Sequence, residues 1–228
     1  MARESRTWLA AAGLGTLILT VLAATAVAAV TVYTNNFSTK AEYGEIRAAG
    51  ESGKCERSWS QKQELMRATV TQGPKSCRFR PPVQSDVSQP DYTIVVEGKV
   101  TKATHAAVRD EAYVAVAARV GDGKEYELRV FPKQGRYSLR REPDDGAFPV
   151  EGTNPAIKGV GARNDLRLEV DGNSVRAQVN GITVGNVNDP NPGGIDGTKL
   201  EFRLGSTAGS SKNTHGAFDR IKVLVPDP

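Results

Sequence analysis

Between Asn164 and Val184 the chain reads NDLRLEVDGNSVRAQVNGITV, apolar and polar positions alternating on either side of two turn dipeptides, Asp171-Gly172 and Asn180-Gly181. Period-two alternation marks a strand buried on one face, and Asp-Gly and Asn-Gly accept the positive φ of two-residue hairpin loops. A loop at Asp171-Gly172 sets Val170 against Asn173, Leu168 against Val175 and Leu166 against Ala177. One at Asn180-Gly181 sets Val179 against Ile182 and Ala177 against Val184. Both registers gather the aliphatic side chains on one face and leave Arg167, Glu169, Arg176 and Gln178 on the other. Such a three-stranded antiparallel meander needs a second layer to cover its apolar side.

The same alternation recurs along the chain. Residues 92–101, YTIVVEGKVT, predict a strand, and a hairpin follows at 112–131. A three-residue loop, Gly121 to Gly123, sets Val116 against Leu128, Val114 against Val130 and Ala118 against Tyr126. That choice separates the faces better than a two-residue loop does. The polar face of this hairpin then carries Tyr113, Arg119, Glu125, Glu127 and Arg129. Further strands are predicted at Glu64–Thr71, Arg136–Arg141, Lys199–Leu204 and Ala217–Val225, with a first edge strand starting at Phe37. No helix is predicted between Tyr33 and the C-terminus. About a dozen short strands separated by turn signals predict an all-β, two-sheet antiparallel sandwich.

The N-terminus follows another rule. From Trp8 to Tyr33 the only ionisable side chain is the terminal tyrosine. As a helix this run would extend about 39 Å, more than the roughly 30 Å hydrocarbon core of a bilayer. Arg3 and Arg6 precede it and the next cation is Lys40, so the positive-inside bias puts the N-terminus in the cytoplasm and the remainder outside. The expected organisation is a cytoplasmic tail at 1–7, a single-pass transmembrane signal-anchor at 8–33 and an extracytoplasmic β-sandwich at 34–228. Small-x-small triplets at Ala24-Thr25-Ala26 and Ala26-Val27-Ala28 keep open a cleaved signal peptide and a secreted product.

Export gives the two cysteines a meaning. Cys55 and Cys77 are expected to form a disulfide in an oxidising compartment, and with only two histidines, His105 and His215, they do not make a zinc spacing. The 30 Lys and Arg against 26 Asp and Glu give a net charge of +4. No run of five or six like charges marks a nucleic-acid partner.

The strand VAVAARVGDGKEYELRVF, the strand RYSLRR, the pair LRLEVDGNSVRAQVNGITV and the closing GAFDRIKV together resemble the concanavalin A-like lectin/glucanase jelly roll. They are most similar to its laminin-G-like and 3-keto-glucoside-hydrolase-like branches. The similarity covers Phe37 to Val225 and its motifs are structural. The resemblance implies a curved sheet whose concave face receives sugar and, in many members, a structural calcium on the opposite side. Asp219, with backbone oxygens near Asn35 or Asn36, is the calcium candidate that it implies.

Candidate chemistry favours binding over catalysis. The glucanase branch sets Glu, Asp and Glu at alternating positions of one strand, so that one serves as nucleophile and another as acid. The nearest match to that pattern, Glu169-Val170-Asp171, lacks a third carboxylate, and its aspartate is committed to a turn. Loop carboxylates such as Glu142, Asp144 and Asp145 are the remaining acids for a glycoside hydrolase. For binding, Tyr113, Arg119, Glu125, Glu127 and Arg129 offer a ring flanked by donors and acceptors for sugar hydroxyls, although Arg119 and Glu125 also read as an ordinary cross-strand ion pair. Trp59 is either a stacking platform at the rim or packing near the disulfide. The expected partner is a glycan or cell-envelope component, with an envelope protein as the alternative.

Overall fold

The computed structural model describes residues 29–49, 54–71, 76–83, 91–143, 148–192, 195 and 197–227. The first strands are β1 (Ala29–Asn35), β2 (Arg47–Ala48), β3 (Cys55–Ser60), β4 (Leu65–Val70), β5 (Ser76–Arg80) and β6 (Tyr92–Val100). The central ones are β7 (Ala112–Gly121), β8 (Lys124–Phe131), β9 (Arg136–Glu142) and β10 (Val150–Thr153). The last are β11 (Asn164–Asp171), β12 (Ser174–Val179), β13 (Ile182–Asn188), β14 (Lys199–Ser206) and β15 (Thr214–Pro226). They form two antiparallel sheets. One has eight strands in the order β13-β12-β11-β6-β15-β4-β3 with β1 also on β15, and the other seven in the order β10-β9-β8-β7-β14-β5-β2.

Alternation places the core between the sheets. Leu166, Leu168, Val170, Val175, Ala177 and Val179 of the meander are buried, as are Val114, Val116, Leu128 and Val130 of the facing sheet. Phe79 and Phe202 of the seven-stranded sheet meet Phe218 of the other, with Phe202 and Phe218 edge to face at 4.8 Å. Gly98 leaves room for this cluster, since a Cβ there would sit 3.0 Å from the Phe218 ring. The disulfide forms between Cys55 of β3 and Cys77 of β5 and joins the two sheets.

The predicted faces hold, while three details of pairing differ. In the β11–β12 hairpin Asp171 pairs with Ser174, so the turn is Gly172-Asn173 and Leu168 faces Ala177. That is a shift by two residues, which preserves the faces. In the next hairpin Val179 faces Ile182 as expected, but an irregularity after Gln178 puts Ala177 opposite Gly185. In the β7–β8 hairpin the expected pairs Val114–Val130, Val116–Leu128 and Ala118–Tyr126 all occur. The turn itself is the two-residue Asp122-Gly123, and the extra residue sits in a bulge between Ala118 and Gly121 where Arg119 takes φ 49.

The helical span expected at 8–33 does not reach Tyr33. Residues 29–33 belong to β1, which pairs with β15 from Ala29–Pro226 to Asn35–Ile221. The β-branched and aromatic run Val30-Thr31-Val32-Tyr33 takes the edge that β15 offers, so tertiary pairing outweighs the continuity of the apolar sequence. The rest of that span, 8–28, lies outside the described residues, as do Asp144 and Asp145. Among the described residues no helix is long and apolar enough to cross a membrane.

Phe37 starts no strand. It has φ 54 and is fully buried, and its backbone N–H donates to Asn35 Oδ1. Two short helices also occur where none was expected, α1 (Lys40–Glu45) and α2 (Ala106–Arg109). The first is started by a Thr39–Glu42 capping box, which satisfies donors at its N-terminus.

Candidate functional site

The face of the seven-stranded sheet turned away from the core is where chemistry concentrates. Tyr126, Leu128 and Val130 of β8 point into the sandwich, so Glu125, Glu127, Arg129 and Phe131 point outward. By the same alternation β7 contributes Tyr113, Ala115 and Ala117, β14 contributes Glu201 and Arg203, and β5 contributes Arg78 and Arg80. Tyr113, Ala115 and Phe131 form an apolar cluster of their own on this side.

Three arginines and three glutamates form a continuous network there. Arg203 donates to both oxygens of Glu125 at 2.5 Å, to Glu127 Oε1 at 3.1 Å and to Glu201 Oε2 at 2.9 and 2.5 Å. Arg129 Nε donates to Glu127 Oε2 at 2.6 Å. Arg80 donates to Glu201 Oε1 from Nε at 2.8 Å and from Nη2 at 2.6 Å. Every oxygen of the three carboxylates is therefore engaged by a guanidinium.

The network is buried at its centre and open at its rim. Side-chain exposure is 2% for Arg203, 3% for Glu127 and 0% for Glu201, against 13% for Glu125, 17% for Arg129 and 28% for Arg80. Burial pushes the Glu127 carboxyl up, but Arg203 and Arg129 outweigh it and hold the group below the ordinary glutamate value. Burial, with Glu127 nearby, pushes the Tyr113 hydroxyl up. The Arg129 guanidinium lies 4.9 Å from the centre of the Tyr113 ring, so that buried ring supports the arginine from below. Gly205, paired with Tyr113 across the strands, admits the ring, since a Cβ there would fall 2.5 Å from it.

Four of the five hairpin residues singled out from the sequence thus come together: Tyr113, Glu125, Glu127 and Arg129. Arg119 does not join them. The bulge turns its side chain to the other side of the sheet, where it pairs with Asp91 at 3.1 Å, donates to the Gly172 carbonyl at 2.9 Å and lies 6.0 Å from the Tyr126 ring. The cross-strand Arg119–Glu125 pair is therefore absent, and Arg203 takes the glutamate. Trp59 stands on β3 in the opposite sheet, packed against the core with Nε1 donating to the Phe37 carbonyl at 2.8 Å.

Sequence reasoning missed Arg203, Glu201 and Arg80. The available signal was the alternation Leu200-Glu201-Phe202-Arg203-Leu204, which puts two charges on the face opposite three buried apolar residues. The carboxylate pattern sought on β11 has a nearer match on β8, where Glu125 and Glu127 alternate and Arg129 stands at the third place.

Asp219 sits at a bulge of β15, and its Oδ1 lies 2.8 Å from Arg163 Nη2. Burial pushes its carboxyl up, with Lys99 and Arg163 opposing. A calcium ion takes six to eight oxygens. The Asn35 side chain is committed to the Phe37 N–H, Tyr33 and the Glu42 carbonyl, and among the described residues no three carboxylate, histidine or cysteine side chains converge. Asp219 is the one carboxylate there, with both oxygens buried and without a hydrogen-bond partner and Arg163 facing Oδ1, so the side chains supply a single calcium ligand.

No protein-family model matches the chain, and no curated relative matches it. Solved structures do. A Bacillus subtilis protein of unknown function with a galectin-like fold aligns at TM-score 0.58 and 14% identity over 86% of this chain and 97% of its own. A glycoside hydrolase family 16 endo-glucanase from Bacteroides ovatus gives 0.60 and 9% over 84% and 99%. The Bacillus licheniformis beta-glucanase gives 0.57 and 13% over 84% and 96%. At these identities the likeness shows the fold alone, and it agrees with the concanavalin A-like jelly roll expected from the sequence motifs.

Proposed function

We propose that the chain is a non-catalytic glycan- or cell-envelope-binding module held at the outer face of the cell membrane. The observation that carries the non-catalytic part is the state of the three glutamates. A retaining or inverting glycosidase needs one carboxyl that holds a proton and another free to attack or to activate water. Here all six oxygens of Glu125, Glu127 and Glu201 accept from arginine, the place of a third acid on β8 is held by Arg129, and Glu142, which stands on β9 opposite Glu125 and not in a loop, accepts from Arg140 through Oε1. What the face does offer is a rim of donors and acceptors, Arg80, Arg129 and Glu125, locked in position by buried partners. Pre-ordered polar groups of this kind bind hydroxyls at low entropic cost.

The structures with this fold support a carbohydrate ligand: besides the two glucanases, they include the Crh5 transglycosylase in complex with NAG, at TM-score 0.59 and 11% identity over 86% of this chain and 84% of its own. A glycan array probed with the full chain in detergent tests the reading. Saturable binding that changes little with salt is expected, weakened about tenfold by Arg129→Ala, the order of loss for one charge-assisted hydrogen bond. Silence across the array, or release of reducing ends that is lost in Glu125→Gln, would overturn it.

Membrane attachment rests on sequence. The apolar run ahead of β1, Trp8 to Ala28, would still cover about 31 Å as a helix, enough for the roughly 30 Å core. In this reading the N-terminus is cytoplasmic and the sandwich is outside. Confinement near the surface raises the effective concentration of a weak binder. Alkaline carbonate extraction is expected to leave the chain in the membrane pellet at full length; recovery in the supernatant with a new N-terminus near residue 28 would instead establish signal cleavage and secretion.

A further inference from the structure

We propose that the sandwich carries a second ligand site, for a phosphate group, at the end opposite the point where β1 enters. The strand registers fix that geometry: Ala29 pairs with Pro226 at one end of β15, whereas Val100, the last residue of β6, pairs with Gly216 near the other. Beyond Val100 the connections β6–β7, β8–β9 and β10–β11 surround a depression of ≈ 470 Å³ lined by Lys102, Arg109, Pro132, Lys133, Gly159 and Val160. Three of these six residues are cations and none is an acid.

The carboxylates nearest in the chain do not neutralise them. Glu111 accepts from Thr207 and Gln134 and lies 3.8 Å from Arg136, and Asp110 does not line the depression. Among the described residues Lys102 and Lys133 have no carboxylate partner. Three like charges gathered around one concavity repel each other, and an anion entering it relieves that repulsion.

The arginine decides which anion. Arg109 Nε donates to the Thr104 carbonyl at 3.2 Å, and Nη2 donates to Thr104 O at 2.8 Å and Lys102 O at 3.2 Å. These bonds fix the guanidinium and consume its Nε–Nη2 edge together with both Nη2 hydrogens. The two-pronged fork that grips a planar carboxylate is therefore closed. What remains is Nη1, and Lys102 and Lys133 line the same depression from separate connections. Three cations set around one concavity suit a tetrahedral oxyanion, and lysines act on phosphate as point charges. The Lys102 stem is seated by Gly161, where φ is +91 and a Cβ would meet Lys102 Cε at 3.2 Å. The phosphate is either free or part of an envelope polymer, and the site shares no residue with the outward sheet face.

Calorimetric titration of the full chain in detergent, with inorganic phosphate and separately with a poly(glycerol phosphate) chain, tests this. Saturable binding of at least one is expected at low salt. Lys102→Gln combined with Lys133→Gln should lower the affinity at least about tenfold and, for the polymer, flatten the dependence of log affinity on log salt by about one to two. Removing two exposed charges elsewhere, Lys40→Gln with Lys62→Gln, should leave both unchanged. Binding of both probes identifies the phosphate group itself as sufficient; binding of the polymer alone identifies a chain as the ligand. Absence of saturable binding, or an equal loss in the Lys40/Lys62 control, overturns the proposal, and neither result bears on the glycan array.

Discussion

Arg203→Met is expected to cost about 3–5 kcal/mol of stability, the range for removing one partner of a buried ion pair. Arg203 is the shared counter-charge of Glu125, Glu127 and Glu201, and its side chain is 2% exposed. A methionine of similar length fills the space but leaves three carboxylates facing one another, with Arg129 and Arg80 reaching only one each. The pH dependence identifies the cause. In the wild type the folded Glu127 lies below its ordinary value of 4.5, so its contribution is complete above that pH and is lost as pH falls through the folded value. In Arg203→Met Glu127 loses the counter-charge that most lowers it and its folded value rises, so acid relieves the variant while it weakens the wild type. Denaturant midpoints at pH 7 and pH 4 should therefore converge. A gap below about 1 kcal/mol at pH 7, or one that persists unchanged at pH 4, would show that the arginine does not neutralise the three acids.

Breaking the disulfide is expected to have the next largest effect. Cys55 and Cys77 are 22 residues apart, and closing a loop of that length stabilises by about 3 kcal/mol through the unfolded chain. In a domain of this size that corresponds to a fall in melting temperature of about 6–12 °C. The bridge also ties β3 of one sheet to β5 of the other, so its loss should be felt at that edge of the sandwich first. Hydrogen exchange of Cys55→Ala/Cys77→Ala should show protection lost in β3 to β5 before β11 to β13. A melting temperature within about 2 °C of the wild type would contradict the loop-closure account.

Much of the fold was written in local pattern. Alternation gave the faces of β6, β7, β8, β11 and β12, and the cysteine count, with the expectation of export, gave the disulfide. Where the reading failed, long-range pairing or backbone conformation decided. Arg119 alternates correctly in sequence, but a positive φ at a non-glycine residue reverses the phase for that one position. β1 was hidden because its valines and tyrosine continue an apolar run, and the β15 edge that captures them lies almost two hundred residues later in the chain. For the candidate face, the hairpin supplied Tyr113, Glu125, Glu127 and Arg129, whose neighbours are local. Arg203 and Arg80 arrive on β14 and β5, and no local periodicity says that β14 will lie between β7 and β5.

The way β1 is inserted bears on how the domain would carry tension. From Ala29 on, the first described residue, β1 is hydrogen-bonded along β15. A pull from the N-terminal side, resisted by a ligand held elsewhere on the sandwich, acts along the axis of β1 and strains its rungs together in shear, not one after another as in unzipping. The β1–β15 pair is thereby built to resist such a pull as a stiff mechanical coupling.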